Sequence, residues 1–340
     1  MTARIAITGG GGFLGVMLAR RLLSDSLTLG GSQLGDVGEV VLIDLVSPPD
    51  DLAAHPRVRT VLGDLEDALP DVGTTDAVFH LAGVVSGAAE KDFDLGMRTN
   101  VDGTRALLEY ARTQPIPPIV VFSSSLAVFG SDPAIGPIGT VDDDTMPRPQ
   151  SSYGIQKFIG EQLVADYTRK GFVRGRSVRL MTVAVRPGKP NAAASSFMSG
   201  IIREPLAGTR AQCPVPRDTP IALSSPRRTL DGILCAAAVD DDTWGSRTAM
   251  NLPALTTTPD EMAAALDRVA GPGTSDLIEW SDDPAVAAIV GSWPARLRTP
   301  RAERLGLHAE DTFDDVVRAY VADHGAATRD PIDHNEKETR

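Results

Sequence analysis

Apolar residues in the first half of the chain fall into short runs, each followed by a segment with helical spacing. RIAIT (4–8) predicts a strand. In LGVMLARRLLS, Leu14, Leu18 and Leu22 recur every four residues, which predicts a helix with one apolar face. VVLID (40–44), VRTVLGDL (58–65, containing the strand), DAVFHLAG (76–83), IVVFSSS (119–125) and VRLMTVAVRPG (178–188) predict a second to a sixth strand. Helices are expected over 99–113 and 153–170, and TLGGSQLGDVGE (28–39) reads as a loop insertion. Apolar strands alternating with helices imply an α/β fold: a Rossmann-type, doubly wound parallel sheet with helices on both faces.

The pattern changes after Gly188. KPNAAASSFMSGIIREPLAG is rich in small residues, and CPVPRDTPIALSSPRR reads as loop and short strand. TLDGILCAAAV (229–239) is again helical in spacing. TPDEMAAALDRVAG (258–271) predicts an amphipathic helix with Thr258 as cap and Glu261 three residues on, and DTFDDVVRAYVADHG (311–325) a last helix. These signs divide the chain into a dinucleotide-binding domain over 1–188, to which 227–252 returns, and a smaller C-terminal substrate-binding region over 189–226 and 253–328. Residues 329–340 carry almost no apolar side chains and are expected to be disordered.

Composition narrows the partners. The formal net charge is −12, which disfavours nucleic acid and anionic membrane, both of which call for a basic surface. Two cysteines make no disulfide framework, and the five histidines lack metal-ligand spacing, so no metal is expected. No signal-peptide pattern and no long apolar run appears, which points to the cytoplasm.

The glycine-rich TGGGGFLG (8–15) sits between the first strand and the first helix. Gly9, Gly12 and Gly15 read as GxxGxxG, and Gly10, Gly12 and Gly15 also satisfy GxGxxG. Such glycines allow a tight turn and close backbone approach to a pyrophosphate, which the helix N-terminus then faces. Phe13 and Leu14 belong to the same turn. Asp44 ends the second strand, where a carboxylate accepts from adenosine ribose hydroxyls and repels a 2′-phosphate, so NAD is favoured over NADP. It lies further on than the usual ~20 residues, for which the 28–39 insertion accounts. Asp64 and Leu65 are candidates to contact adenine, and Leu81, Ala82 and Gly83 follow the fourth strand, where ligands collect in such sheets.

Tyr153 and Lys157 stand one helical turn apart, and alone they are compatible with an ordinary helix face. The fifth strand, however, ends in Ser123-Ser124-Ser125 at the edge where a nicotinamide would lie. A tyrosine that takes the proton of a substrate alcohol, a serine that hydrogen-bonds the reacting oxygen and a lysine that stabilises the phenolate would suit reversible hydride transfer. Moving a tyrosine from pKa ~10 to about 7 requires roughly 4 kcal/mol, which Lys157 and an oxidised nicotinamide could share.

TGGGGFLG, Asp44, Asp64, HLAG, NVDGT, SSSLAVFG, YGIQK and RPG follow one another in the order seen in the extended short-chain dehydrogenase/reductases, and the chain resembles that NAD-dependent epimerase/dehydratase superfamily to about residue 325. The resemblance implies Ser125, Tyr153 and Lys157 as catalytic residues, with Asn100 supporting the lysine, and a nicotinamide site that includes Ser123, Tyr153, Lys157 and Pro187. It also implies a homodimer through the 99–113 and 153–170 helices.

Dehydratases of this family place acidic residues directly after the catalytic hydroxyl. Leu126 and Ala127 stand there, which argues against dehydration. RPGKPNAAASSFMSGIIREPLAG, together with VVSGAAEKDFDLG (84–96), resembles the branch that oxidises the C2 hydroxyl of D-erythronate, a four-carbon sugar acid, to the 2-keto acid. Candidate substrate contacts are Ser86, Ser125, Asn191 and Ser195, with Lys189, Arg203, Arg227 and Arg228 as cations for a carboxylate. Cys213 reads as a buried small residue and His80 as a packed strand-end residue. A nucleotide-sugar epimerase on the same machinery is the alternative, and a redox-inert dinucleotide sensor is a third reading.

Overall fold

The computed structural model describes residues 2–188 and 193–325. Lys189, Asn191 and the tail assigned to 329–340 therefore lie outside the described residues. The centre is a parallel sheet of seven strands: β1 (Arg4–Thr8), β2 (Glu39–Asp44), β3 (Val58–Leu62), β4 (Ala77–His80), β5 (Ile119–Ser125), β6 (Arg174–Leu180) and β7 (Met250–Asn251). Their spatial order is β7-β6-β5-β4-β1-β2-β3. The chain reverses direction across the sheet between β1 and β4. The carboxyl ends of those strands open a crevice there, the place where doubly wound sheets bind ligands.

Both faces of the sheet are covered. On one, α1 (Phe13–Ser24) and the later helix 226–238 bury Leu18, Leu22, Leu230 and Ile233 against Ile5, Leu42 and Phe79. On the other, α2 (Gly103–Arg112) and α3 (Ser152–Arg169) bury Leu107, Leu108 and Val164 against Val41, Val78 and Phe122. The alternation along each strand sends neighbouring apolar side chains to opposite cores.

A second core lies over the carboxyl edge. Helices α4 (Phe197–Leu206), α5 (Pro259–Ala270) and α6 (Phe313–His324) pack Met198, Ile202, Met262, Leu266 and Val317 around Cys213, Ile221 and Leu223. Thr258 caps α5 by accepting from the Glu261 backbone, as expected. Thr312 and Asp315 form a reciprocal capping box on α6.

Three expectations are corrected. The sixth strand begins at Arg174 rather than 178 and ends at Leu180; residues 182–183 join a separate three-stranded sheet with 221–224 and 255–257. The 28–39 insertion contains a hairpin of strands 27–29 and 32–35. The 99–113 helix starts as a π-helical turn, Met97–Asp102, before α2. Among the described residues no helix is long and apolar enough to cross a membrane.

Candidate active site

A cavity of about 640 Å³ runs along the carboxyl edge of the sheet. At one end it is lined by Gly9, Gly12, Phe13, Leu14, Gly15, Asp44, Asp64 and Leu65. The glycine turn permits backbone approaches that no side chain allows. A Cβ on Gly15 would stand 2.1 Å from the Gly9 carbonyl oxygen, and one on Gly9, whose φ is +73°, would meet the Ala82 nitrogen at 2.8 Å. The turn is held to β2 because the Gly9 and Gly10 N–H groups both donate to the Ile43 carbonyl. Asp44 accepts from the Gly11 N–H at 2.9 Å and the Val46 N–H at 3.1 Å, so its carboxylate is fixed at the mouth. A free helix N-terminus above a glycine cradle, flanked by a fixed carboxylate, fits the pyrophosphate and ribose of a dinucleotide.

The other end is built on β5 and α3. Ser123 is anchored by donating to the His80 carbonyl at 2.9 Å, and Ser124 by donating to Glu161 at 2.5 Å. Ser125, the last residue of the strand, caps the following turn by accepting from the Ala127 N–H at 3.1 Å. The Ser151 side chain caps α3 at the Gly154 N–H, which puts Tyr153 in the first turn and Lys157 in the next. Gly154 and Gly160 let the helix close on this wall: a Cβ there would lie 2.1 Å from the Ala127 oxygen and 2.5 Å from the Phe122 ring. Ser123, Ser125, Tyr153 and Lys157 consequently line one cavity with the glycine cradle, Leu81, Ala82, Gly83, Ser86 and Ser195.

Charge in this wall is set by burial. Lys157 is 3% exposed, and loss of water pushes its ammonium down to about 8. Its Nζ lies 5.0 Å from the Phe122 ring centroid and 5.8 Å from that of Tyr153. Burial pushes the Tyr153 phenol up, against hydrogen bonding toward Ser125 and the field of Arg186. Arg186 lines the cavity too, and burial and the neighbouring Arg203 hold its guanidinium below the ordinary value.

Asn100 sits in the π-helical turn and does not touch the cavity. Its Oδ1 accepts from the Val84 N–H at 2.8 Å, while Nδ2 donates to the Val84 carbonyl at 3.1 Å and to Gln156 at 2.8 Å. The segment after β4 is thereby clamped to α3, one residue from Lys157. A Cβ on Gly83 would come within 3.0 Å of Asn100 Oδ1 and 3.3 Å of Lys157 Nζ.

Other candidates stand elsewhere. Arg227, in the first turn of helix 226–238, is held at the surface by its ion pair with Asp323 on α6 and does not line the cavity. Arg228 pairs with Asp231, and Arg203 with Glu204. Pro187 follows Arg186 without lining the cavity. Cys213 is buried in the second core, and His80 is 1% exposed between two threonines. Sequence reasoning missed Arg186, Met181, Thr182, Val183 and Trp293, all of which line the cavity. Arg186 could have been found as the arginine of RPG directly after the strand region; Trp293, about 140 residues from Tyr153, gave no local sign.

A model of the NAD dependent epimerase/dehydratase family matches residues 5–219. A D-erythronate dehydrogenase of Cupriavidus necator is 50% identical over 330 residues, 95% of this chain and 99% of its own. One of Haemophilus influenzae is 40% identical over 94% of this chain and 98% of its own. A crystal structure described as a nucleoside-diphosphate-sugar epimerase from Agrobacterium tumefaciens superimposes with a TM-score of 0.85 at 38% identity, covering 96% of both chains. L-threonine 3-dehydrogenase from Trypanosoma brucei superimposes at 0.80 with 24% identity over 97% of this chain and all of its own, a likeness of fold.

Proposed function

The chain belongs to the NAD-dependent epimerase/dehydratase family, and we propose that it is a dehydrogenase that oxidises the C2 hydroxyl of D-erythronate to 2-oxo-D-erythronate with NAD. The observation that carries the reading is the meeting of Ser125, Tyr153 and Lys157 with the glycine cradle in one cavity. Near full-length similarity to two D-erythronate dehydrogenases supports the substrate. Leu126 and Ala127, both buried and without acid–base groups, support oxidation over dehydration.

In this reading Gly9, Gly12, Phe13, Leu14 and Gly15 hold the pyrophosphate. Asp44 takes the adenosine ribose and disfavours a 2′-phosphate, which is the basis for NAD over NADP. Leu81, Ala82, Gly83 and Ser123 line the way to the nicotinamide. The cofactor, when bound, supplies the hydride acceptor. As the phenolate, which the Lys157 ammonium and the oxidised nicotinamide would stabilise against the burial that pushes the phenol up, Tyr153 takes the C2 hydroxyl proton as the C2 hydride leaves, and Ser125 hydrogen-bonds the same oxygen. Lys157 supplies a positive field and a donor for the nicotinamide ribose, and Asn100 keeps the neighbouring segments in register. Ser86 and Ser195 are hydroxyl contacts for the substrate. The reading takes the enzyme as a cytoplasmic homodimer joined through α2 and α3, where Ile155 is 47% exposed; sedimentation equilibrium reads its mass.

A nucleotide-sugar epimerase is the second reading, favoured by the description of the Agrobacterium structure. Net NADH formation separates the two, since an epimerase regenerates its cofactor internally. Purified protein with NAD should form NADH from D-erythronate in preference to L-erythronate and either threonate, and should form far less NADPH when NADP replaces NAD. Tyr153→Phe should lose about 10²–10⁴-fold in rate. UDP-sugar isomerisation without NADH from any acid would overturn the proposal.

A further inference from the structure

The cavity is electrically divided. Asp44 and Asp64 line the end beside the glycine turn, and Lys157 and Arg186 line the end that holds Ser125 and Tyr153. A carboxylate on the substrate belongs at the cationic end. Lys157 is a poor anchor for it: its ammonium is buried beneath Tyr153 and over Phe122. Arg203, Arg227 and Arg228 are engaged with Glu204, Asp323 and Asp231.

Arg186 differs from these. Among the described residues no carboxylate pairs with its guanidinium. Its backbone is held at both ends: the N–H donates to Ser199 Oγ at 3.0 Å, and the carbonyl accepts from Arg203 Nη1 at 2.8 Å. A partly desolvated guanidinium without an anion, carried on a braced backbone, is primed for one, and its planar fork matches a carboxylate.

Resting on the dehydrogenase reading, we propose that Arg186 binds the substrate's carboxylate and so makes the site select 2-hydroxy acids over neutral polyols and amides of the same shape. The anchor stands close enough to Tyr153 for the two groups to influence one another electrostatically. An acid held there presents the hydroxyl next to its carboxylate to the tyrosine.

The test measures binding apart from turnover. D-Erythronate and its neutral amide are titrated into the enzyme–NADH complex by NADH fluorescence, with NADH formation from NAD followed in parallel. The wild type should prefer acid to amide. Arg186→Gln should weaken acid binding by about 30-fold or more while amide binding changes less than about threefold. Arg186→Lys, a point charge without the fork, should fall between and keeps the test open should the glutamine variant misfold. Equal losses for acid and amide in Arg186→Gln, a loss carried by Lys189→Gln instead, or no acid preference in the wild type would each overturn the assignment. Acid binding that depends on Arg186 but yields no NADH would remove the dehydrogenase reading and keep the anchor. NADH formation with full acid preference in Arg186→Gln would do the reverse.

Discussion

His80 donates from Nε2 to Thr104 Oγ1 at 3.0 Å, and that direction is forced. The Thr104 hydroxyl spends its own proton on the Asn100 carbonyl at 2.7 Å, so toward the ring it can only accept. Nδ1 is then an acceptor and takes the Thr8 hydroxyl at 2.6 Å, while Thr8 Oγ1 accepts from the Ala82 N–H at 3.2 Å. One neutral imidazole thus joins β1, just before the glycine cradle, to the turn that carries Asn100.

That role requires the uncharged ring. Burial, with a smaller contribution from Lys157, pushes His80 down to about 3. Between this value and the unfolded one near 6.5 the unfolded chain binds more protons, so the contribution of His80 to stability falls as pH drops through that window. From pH 7 to pH 5 the loss amounts to about 2 kcal/mol. Urea unfolding at both pH values should show the wild type losing that much more than His80→Gln, which does not titrate. Equal losses in the two proteins would mean that the ring is protonated in the folded state.

Lys157 presents the same linkage from the other side of the pH scale. With its folded value near 8 and its unfolded value near 10.5, the buried ammonium opposes folding throughout the neutral range. The penalty disappears as pH rises from 8 to 10.5, because there the unfolded chain holds the extra proton. Lys157→Met keeps the stem without the charge. It should be more stable than the wild type by roughly 1–3 kcal/mol at pH 7, with the gap closing toward pH 10.5, and should lose turnover. A less stable variant whose deficit does not vary with pH would contradict this account.

The sequence carried the fold where chemistry and hydropathy coincide. IVVFSSS matches β5 end to end because its apolar residues are buried on both faces and its serines finish at the sheet edge. RGRSVRL reads as strand only from Val178, because Arg174 and Arg176 before it look like surface. Arg176 and Arg179 are nevertheless buried, paired with Asp241 and Glu161. Hydropathy cannot reveal a partner about 65 residues away. The π-helical turn around Asn100 depends on a shift of one hydrogen bond per turn, which composition does not encode. At the site, local motifs brought out the glycine cradle and the Tyr153–Lys157 pair. Which arginine faces the cavity was hidden, since Arg227 is drawn off by Asp323 in a distant helix and Arg203 turns to the Arg186 carbonyl and to its neighbour Glu204.

The Arg179–Glu161 pair makes a prediction of its own. Both side chains are nearly free of water, at 2% and 3% exposure, and Arg179 forks onto the carboxylate at 2.8 and 2.9 Å. Ser124 donates to the same carboxylate, and the guanidinium stacks 4.8 Å over Phe129. The pair therefore ties α3 and β6 to the strand that ends in Ser125. Removing one partner strands a buried charge, so Glu161→Leu or Arg179→Met should each cost about 3–5 kcal/mol in urea unfolding. The double variant strands neither charge and leaves the Ser124 hydroxyl without its acceptor and the buried Asn251 Oδ1 without its donor. It should lose less than the sum of the singles by about 2 kcal/mol or more. Additive losses would mean that water reaches the pair and that the carboxylate, not its partner, holds the strand.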